Sequence, residues 1–237
     1  MSKIWAISDM HFSPDGKYNM TGLGEIWNDH RNRIIQGWQE TIGPDDIVLC
    51  PGDISWAYSL NQAKPDLETI SRLNGKLKIF VKGNHDKWWT VSAKLNEATP
   101  KDLLFLGTEH YELENYIVAG TMGWLSPGDP VSDALDKNYF LLETGRAKVC
   151  LENAAAAATK TGKKILFLLH FPPVTTIGEP NEFLDLLAKY KVETCVCGHF
   201  HMKNEWEAFP QKPIKNTKIK LVSTDYLKHR PLYLCEA

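Results

Sequence analysis

The chain has 237 residues, 43% of them hydrophobic and 24% charged, the ordinary balance of a globular protein with one good core. Its formal net charge of −2 gives no overall basic field to draw in nucleic acid or an acidic membrane. No apolar run approaches the length of a membrane span, and four of the five cysteines (Cys50, Cys195, Cys197 and Cys235) lie in apolar strand-like runs, as in a reduced, cytoplasmic protein.

In chain order, Ile4 to Ser8 reads as an apolar strand that stops at Asp9-Met10-His11. Only four apolar residues separate Lys3 from Ser8, too few for a signal-peptide core, so no export signal is expected. A loop rich in Gly, Pro and Asn runs to about Gly24. Glu25 to Gln39 is predicted as an amphipathic helix with Ile26, Ile34, Ile35 and Trp38 on its apolar stripe. Gly43-Pro44-Asp45-Asp46 ends it. A second strand, Ile47 to Cys50, stops at Pro51-Gly52-Asp53. Pro65 to Leu73 is predicted helical and ended by Asn74-Gly75. The third strand begins at Ile79 and gives way at Gly83 to Asn84-His85-Asp86, glycine allowing the sharp turn. Trp88 to Ala98 is a further helix, stopped by Thr99-Pro100. Strand, helix, strand is the pattern of parallel βαβ units.

The middle is less regular. Leu103 to Leu106 is a short strand, and Tyr111–Leu113 and Tyr116–Gly120 flank Glu114-Asn115 like a hairpin. Residues 123–137 form a Pro-, Gly- and Asp-rich loop with no assignable structure. Tyr139 to Thr159 reads as a long helix ending in Gly162. Ile165 to Leu169 is a strand that stops at His170, broken by Phe171-Pro172-Pro173. After a helix at Phe183–Tyr190, the strand Thr194–Cys197 stops at Gly198-His199-Phe200-His201. The alternating Ile219, Leu221 and then Leu232, Leu234 are expected to close an antiparallel edge. One domain over residues 1–237 is the expectation.

Five apolar strands therefore end in Asp, Asn or His, and ligands of α/β sheets collect at strand carboxyl ends. A lone histidine there, such as His170, is usually an ordinary hydrogen-bonded residue, and Asn84-His85-Asp86 alone would pass for a helix cap. The set is what carries weight. Asp-x-His, Gly-Asp, Gly-Asn-His-Asp, a lone His and Gly-His-x-His, in this order from Asp9 to His201, resemble the calcineurin-like metallophosphoesterase superfamily.

The resemblance implies an α/β fold, a four-layer α/β/β/α sandwich of two mixed β-sheets flanked by helices. The alternation of strands and helices agrees, but does not by itself distinguish this from a single doubly wound sheet. It also implies two metal ions, one held by Asp9, His11 and His201 and the other by Asn84, His170 and His199, with Asp53 bridging. Imidazole and carboxylate ligands suit Mn, Fe or Zn. His85 matches no ligand position and is the expected proton donor to the leaving group, with Asp86 orienting its ring and Asn84 also contacting the phosphoryl group.

The implied reaction is hydrolysis of a phosphate mono- or diester, of a small molecule or nucleotide, by in-line attack of a metal-bridging hydroxide. A non-catalytic protein-binding scaffold of the same fold and a nuclease acting on single strands are the other readings; the complete ligand set favours the enzyme. Gly52-Asp53 is followed by Ile-Ser-Trp-Ala rather than the Arg-Gly of protein Ser/Thr phosphatases, against phosphoprotein specificity. Duplex nucleic acid is not an expected partner, because only a short tail follows His201; Lys203, Lys212, Lys215, Lys218 and Lys220 read as edge-strand gatekeepers. Trp56, Trp88, Trp89, Trp124 and residues 126–133 lie near the motifs. Trp56 and Trp124 either pack in the core or stack on a nucleobase. Arg146, near Glu143, reads as a solvated helix charge. Oligomeric state leaves no mark in the sequence.

Overall fold

The computed structural model describes residues 2–237. Its strands sort into two five-stranded sheets. In one, β1 (Lys3–Ala6), β2 (Ile47–Pro51), β3 (Leu77–Val81) and β4 (Leu103–Phe105) run parallel, and β10 (Leu232–Glu236) joins the β1 edge antiparallel. In the other, β6 (Tyr116–Thr121), β7 (Lys164–Leu169), β8 (Thr194–Cys197) and β9 (Lys218–Leu221) run parallel, with β5 (Tyr111–Glu112) antiparallel at the edge.

The side-chain alternation of each strand explains the layering. In β2, Ile47 and Leu49 face the other sheet, joining Ile79, Val81, Val118, Leu166, Leu168 and Val196 in a middle core. Val48 and Cys50 point the other way, onto Ile34 and Trp38 of α1 (His30–Thr41) and Ala63, Leu67 and Ile70 of α2 (Leu60–Ser71). In β7, Leu166 and Leu168 face inwards. Ile165, Phe167 and Leu169 meet Ala147, Cys150 and Leu151 of α4 (Asp136–Thr161) and Phe183, Leu184 and Leu187 of α5 (Glu182–Lys189). Both faces of each strand are apolar because both are covered. Each buried Leu or Ile contributes about 1.5–3 kcal/mol. The result is the expected four-layer sandwich. No helix among the described residues is long and apolar enough to cross a membrane.

Several boundaries differ from expectation for identifiable reasons. The segment from Glu25 is a single 3-10 turn, Glu25–Trp27, after which Asp29 adopts a left-handed conformation (φ 52°) and α1 begins at His30. The break turns Trp27 inwards, where it is buried. Helix α2 starts at Leu60, with the Ser59 side chain accepting from Gln62 N, and Pro65 lies inside it rather than at its first turn. Helix α3 (Ser92–Ala98) begins later than Trp88, because Asp86 holds the preceding residues in a turn through Trp88 Nε1 (3.2 Å). The C-terminal strands do not pair with each other: β9 lies parallel to β8 in one sheet, and β10 lies antiparallel to β1 in the other.

At the carboxyl ends of the parallel strands the two sheets are stitched together. Ser8 N donates to Val222 O (2.9 Å), Thr224 N donates to Ser8 O (3.1 Å), and His170 Nδ1 meets Pro51 O (3.0 Å). This end of the sandwich holds the strand-end acids and histidines.

Candidate metal centre

The loops that follow β1 and β2 run on beside each other past the strands. Asp9 N donates to Gly52 O, His11 N to Asp53 O, and Phe12 N to Ile54 O, each at 3.0 Å. Within these loops and the one after β8, Asp9 (φ 57°), His11 (46°), Asp53 (53°) and His199 (69°) all occupy the left-handed region. Non-glycine residues are held there only where surrounding structure demands it, and such residues cluster at functional sites. Two glycines make the close approaches possible. A Cβ on Gly83 would overlap the Asp53 carboxylate and amide, and one on Gly198 would overlap the Asp9 carboxylate and Ser8 hydroxyl.

Two clusters of ligating atoms result, each with its atoms within 4.8 Å of one another: Asp9, His11 and His201, and Asp9, Asp53 and His170. Asp53 Oδ2 lies 3.7 Å from His11 Nε2 and 3.4 Å from His170 Nε2, so it faces both. Asn84 Oδ1 approaches His170 Nε2 at 2.7 Å. The His199 ring stands beside His170, centroids 5.1 Å apart, outside both clusters, while its backbone N–H donates to Asp9 at 3.1 Å.

The donor set fits metal ions. His11 is buried, and neither of its ring nitrogens has a hydrogen-bond partner among the described residues. Burial lowers its pKa to about 3, so it offers a neutral ring beside two carboxylates. Pro51 O can only accept, so His170 Nδ1 carries a proton. Its Nε2, against Asn84 Oδ1 and Asp53, is then the atom that can take a second proton or a metal ion. His201 repeats this: Nδ1 is engaged by Asp225 at 3.0 Å, and Nε2 faces Asp9 Oδ1 at 3.4 Å.

The electrostatics agree. Burial works to raise the Asp9 pKa, but the hydrogen bond and charge of His201 and the charge of His170 hold it well below the usual range. Asp53 is likewise held far down, burial being outweighed by His170. Burial works against the charged form of His170, but Asp53 and Asp9 raise its pKa to about 9. For His201, Asp225 and Asp9 overcome burial and raise it to about 10. His199 is lowered to about 3 by burial and by the His170 charge.

His85 lies at the margin, its backbone N–H donating to Asp53 Oδ1 (2.8 Å) and its ring 4.2 Å, centroid to centroid, from Trp56. Burial lowers its pKa. The role expected for Asp86 is corrected by the structure. Its carboxylate accepts from the backbone N–H groups of Gly83 (2.9 Å), Asp53 (3.0 Å), Ile54 (2.9 Å) and Ser55 (3.2 Å), and makes no hydrogen bond to the His85 ring. It fixes the loops after β2 and β3 to each other. Burial, then the Asp53 charge, push its pKa up to about 7 despite those donors.

Asp225 escaped the sequence reading. It follows β9 as Asp9 follows β1, a sixth strand end with a residue able to bind metal; β9 is an edge strand as expected, but it runs parallel to β8, which brings its carboxyl end to the site. Among the tryptophans, Trp88 is buried in the core. Trp124 donates to Asp136 (2.8 Å) and packs on Phe171 and Tyr139. Trp56 alone of those weighed for a pocket touches His85. Arg146 is a half-exposed helix charge, as expected, and pairs with the buried Glu143 one turn earlier (2.5 Å). Lys203, Lys215 and Lys218 pair with Glu207, Asp185 and Glu193, which breaks up a C-terminal basic stripe.

A model of the calcineurin-like phosphoesterase family matches residues 2–203. The gene 66 protein of Mycobacterium phage L5 is 30% identical over 86 residues, 36% of this chain and 41% of that protein's length. The solved structure of AQ665, a protein of unknown function from Aquifex aeolicus, superposes with a TM-score of 0.54 at 14% identity, covering 98% of this chain and 96% of that one. That likeness speaks to the fold alone.

Proposed function

The chain belongs to the calcineurin-like phosphoesterase family, and on that premise we propose that it hydrolyses a small phosphate mono- or diester at a two-metal centre. The observation that carries the reading is His11, a buried ring with two unpartnered nitrogens beside the Asp9 and Asp53 carboxylates. Asp9, His11 and His201 would hold one ion and Asn84, His170 and His199 the other, with Asp53 shared between them. Bound there, Mn, Fe or Zn would act as a Lewis acid and supply a deprotonated water near neutral pH.

The remaining chemistry falls to the chain's own groups. Pro51 O and Asp225 fix the tautomers of His170 and His201, so their Nε2 atoms point inwards. Asp86 locks Gly83 and Asp53 in place. His85, at the margin and bonded to no side chain among the described residues, is the proton donor to the leaving oxygen. No covalent intermediate is required.

The first test is a screen of the metal-loaded protein against phosphate mono- and diesters. His85→Gln then tests the proton donor. A p-nitrophenolate leaves without help and an alkoxide does not, so the variant should lose about 10²–10⁴-fold on alkyl esters and little on p-nitrophenyl esters. Equal losses on both, in single-turnover kinetics, would restrict His85 to stabilising phosphoryl charge.

A further inference from the structure

Three aromatic rings lead away from His85. Trp56 lies against it at 4.2 Å, and Tyr18 stacks on Trp56 with centroids 5.7 Å apart and planes 22° apart. Tyr58 follows at 6.1 Å from Tyr18, the two hydroxyls 3.3 Å apart. Exposure rises along the row, from the half-buried Trp56 to Tyr18 at 41% and Tyr58 at 63%. The inner end is rigid. Trp56 N donates to Phe12 O (2.8 Å), and Phe12 and Ser55 are bridged, so the loops carrying Asp9 and Asp53 also carry Trp56.

Loop packing explains Tyr18 on Trp56, but it does not explain Tyr58, whose ring stands mostly in solvent and touches the row only through Tyr18. Nor does it explain the Trp56 indole N–H, a buried donor with no partner among the described residues. Both observations suit a bound molecule. Among the described residues Lys17, next to Tyr18 in sequence, is paired with Asp15 at 2.9 Å, so the row itself presents aromatic faces and no cluster of cations. Aromatic faces favour another planar ring, and stacking on tyrosine tolerates any base or aryl group.

We propose that Trp56, Tyr18 and Tyr58 form the leaving-group subsite, and that it selects phosphate esters whose leaving alcohol bears a planar ring, as a nucleoside does. This rests on the reading of His85 as proton donor: the leaving oxygen lies at His85, and the body of the leaving group extends past Trp56, whose faces are taken by His11 (5.1 Å) and Tyr18 (5.7 Å), to the exposed tyrosine rings.

Adenosine 5′-monophosphate and ribose 5-phosphate test this directly, because they share the reacting phosphate and sugar and differ only in the base. The metal-loaded protein should favour the nucleotide by about tenfold in kcat/KM, chiefly through KM, the scale of one aromatic stacking contact. Tyr18→Ala and Tyr58→Ala should bring the ratio close to one, and Tyr58→Phe should restore it. Equal kcat/KM for both esters in the wild type, or a preference that survives both alanine variants, would overturn the proposal. Calorimetric titration with adenosine and with ribose separates this from the parent reading. If neither ester is hydrolysed, adenosine binding that is lost in the tyrosine variants still supports the subsite, and absence of adenosine binding refutes it.

Discussion

The two halves of the centre are built differently. In the half formed by Asp9, His11 and His201, the outer support is a side chain: Asp225 accepts from His201 at 3.0 Å. In the half proposed around Asn84, His170 and His199, it is backbone. Pro51 O holds His170 at 3.0 Å, and four amides converge on Asp86 beneath Asp53 and Gly83. A carboxylate brace adds charge: Asp225 is the first of the partners that raise His201, whereas for His170 the first is Asp53, inside the centre, and Pro51 O comes last. A carboxylate brace can also be removed by substitution, whereas a carbonyl brace cannot. The first half should therefore be tunable from its outer shell, and the second should resist such changes unless its loops come apart.

The largest effect should come from erasing the distinction between the halves. Asp53 faces His11 and His170 alike, and an amide bridges two cations poorly. Asp53→Asn should empty both sites and cost activity roughly 10³-fold or more, beyond the 10–100-fold typical of outer-shell losses. Normal occupancy in that variant would remove Asp53 from its shared position.

The backbone-built half should fail through stability. Asp86→Ala strands four buried amides and the Trp88 indole, each costing about 1–3 kcal/mol when unpaired. A loss of about 3 kcal/mol or more is expected in denaturant unfolding of the metal-free protein. An unchanged midpoint would mean that Asp86 does not hold these loops together. A smaller and more local effect is expected at the other brace. Asp225→Asn should weaken metal binding about 10–100-fold in one site only, giving two well-separated phases in a metal titration. Equal weakening of both sites would contradict the division.

The subtlest consequence is protonic. Without metal, His170 and His201 hold protons below about 9 and about 10, and each must give one up to bind an ion. Affinity should thus rise as the pH is raised towards those values and fall as it is lowered. At pH 7.5, binding should release at least two protons, one from each ring besides any from metal-bound water, measurable by calorimetry in buffers of different ionisation enthalpy. Release of none would mean that both rings are already neutral.

The part of this site legible in the sequence was the part that strand ends carry. A strand that stops at Asp9, Asp53, Asn84, His170 or His199 announces itself, because buried apolar runs have no structural need of such residues there. Asp225 obeys the same rule, but only the parallel run of β9, where an antiparallel edge is expected, brings its carboxyl end to the site. Asp86 was misjudged because its partners are backbone amides of another loop, which no spacing reveals. The left-handed conformations of Asp9, His11, Asp53 and His199 were equally invisible, since no glycine marks them. Helix α2 was cut short because Pro65 resembles a first-turn residue. That there are two sheets and not one was beyond the strand patterns themselves: residues buried on both faces look alike whether helix or sheet covers them.

Metal content bears most directly on the central claim. After loading with Mn, Fe or Zn and removal of excess, the wild-type protein should carry about two ions per chain. His201→Ala, prepared in parallel, should carry about one, because it disturbs only the half built on Asp9 and His11. A wild type that never exceeds one ion, or a variant that still holds two, would contradict the two-half centre.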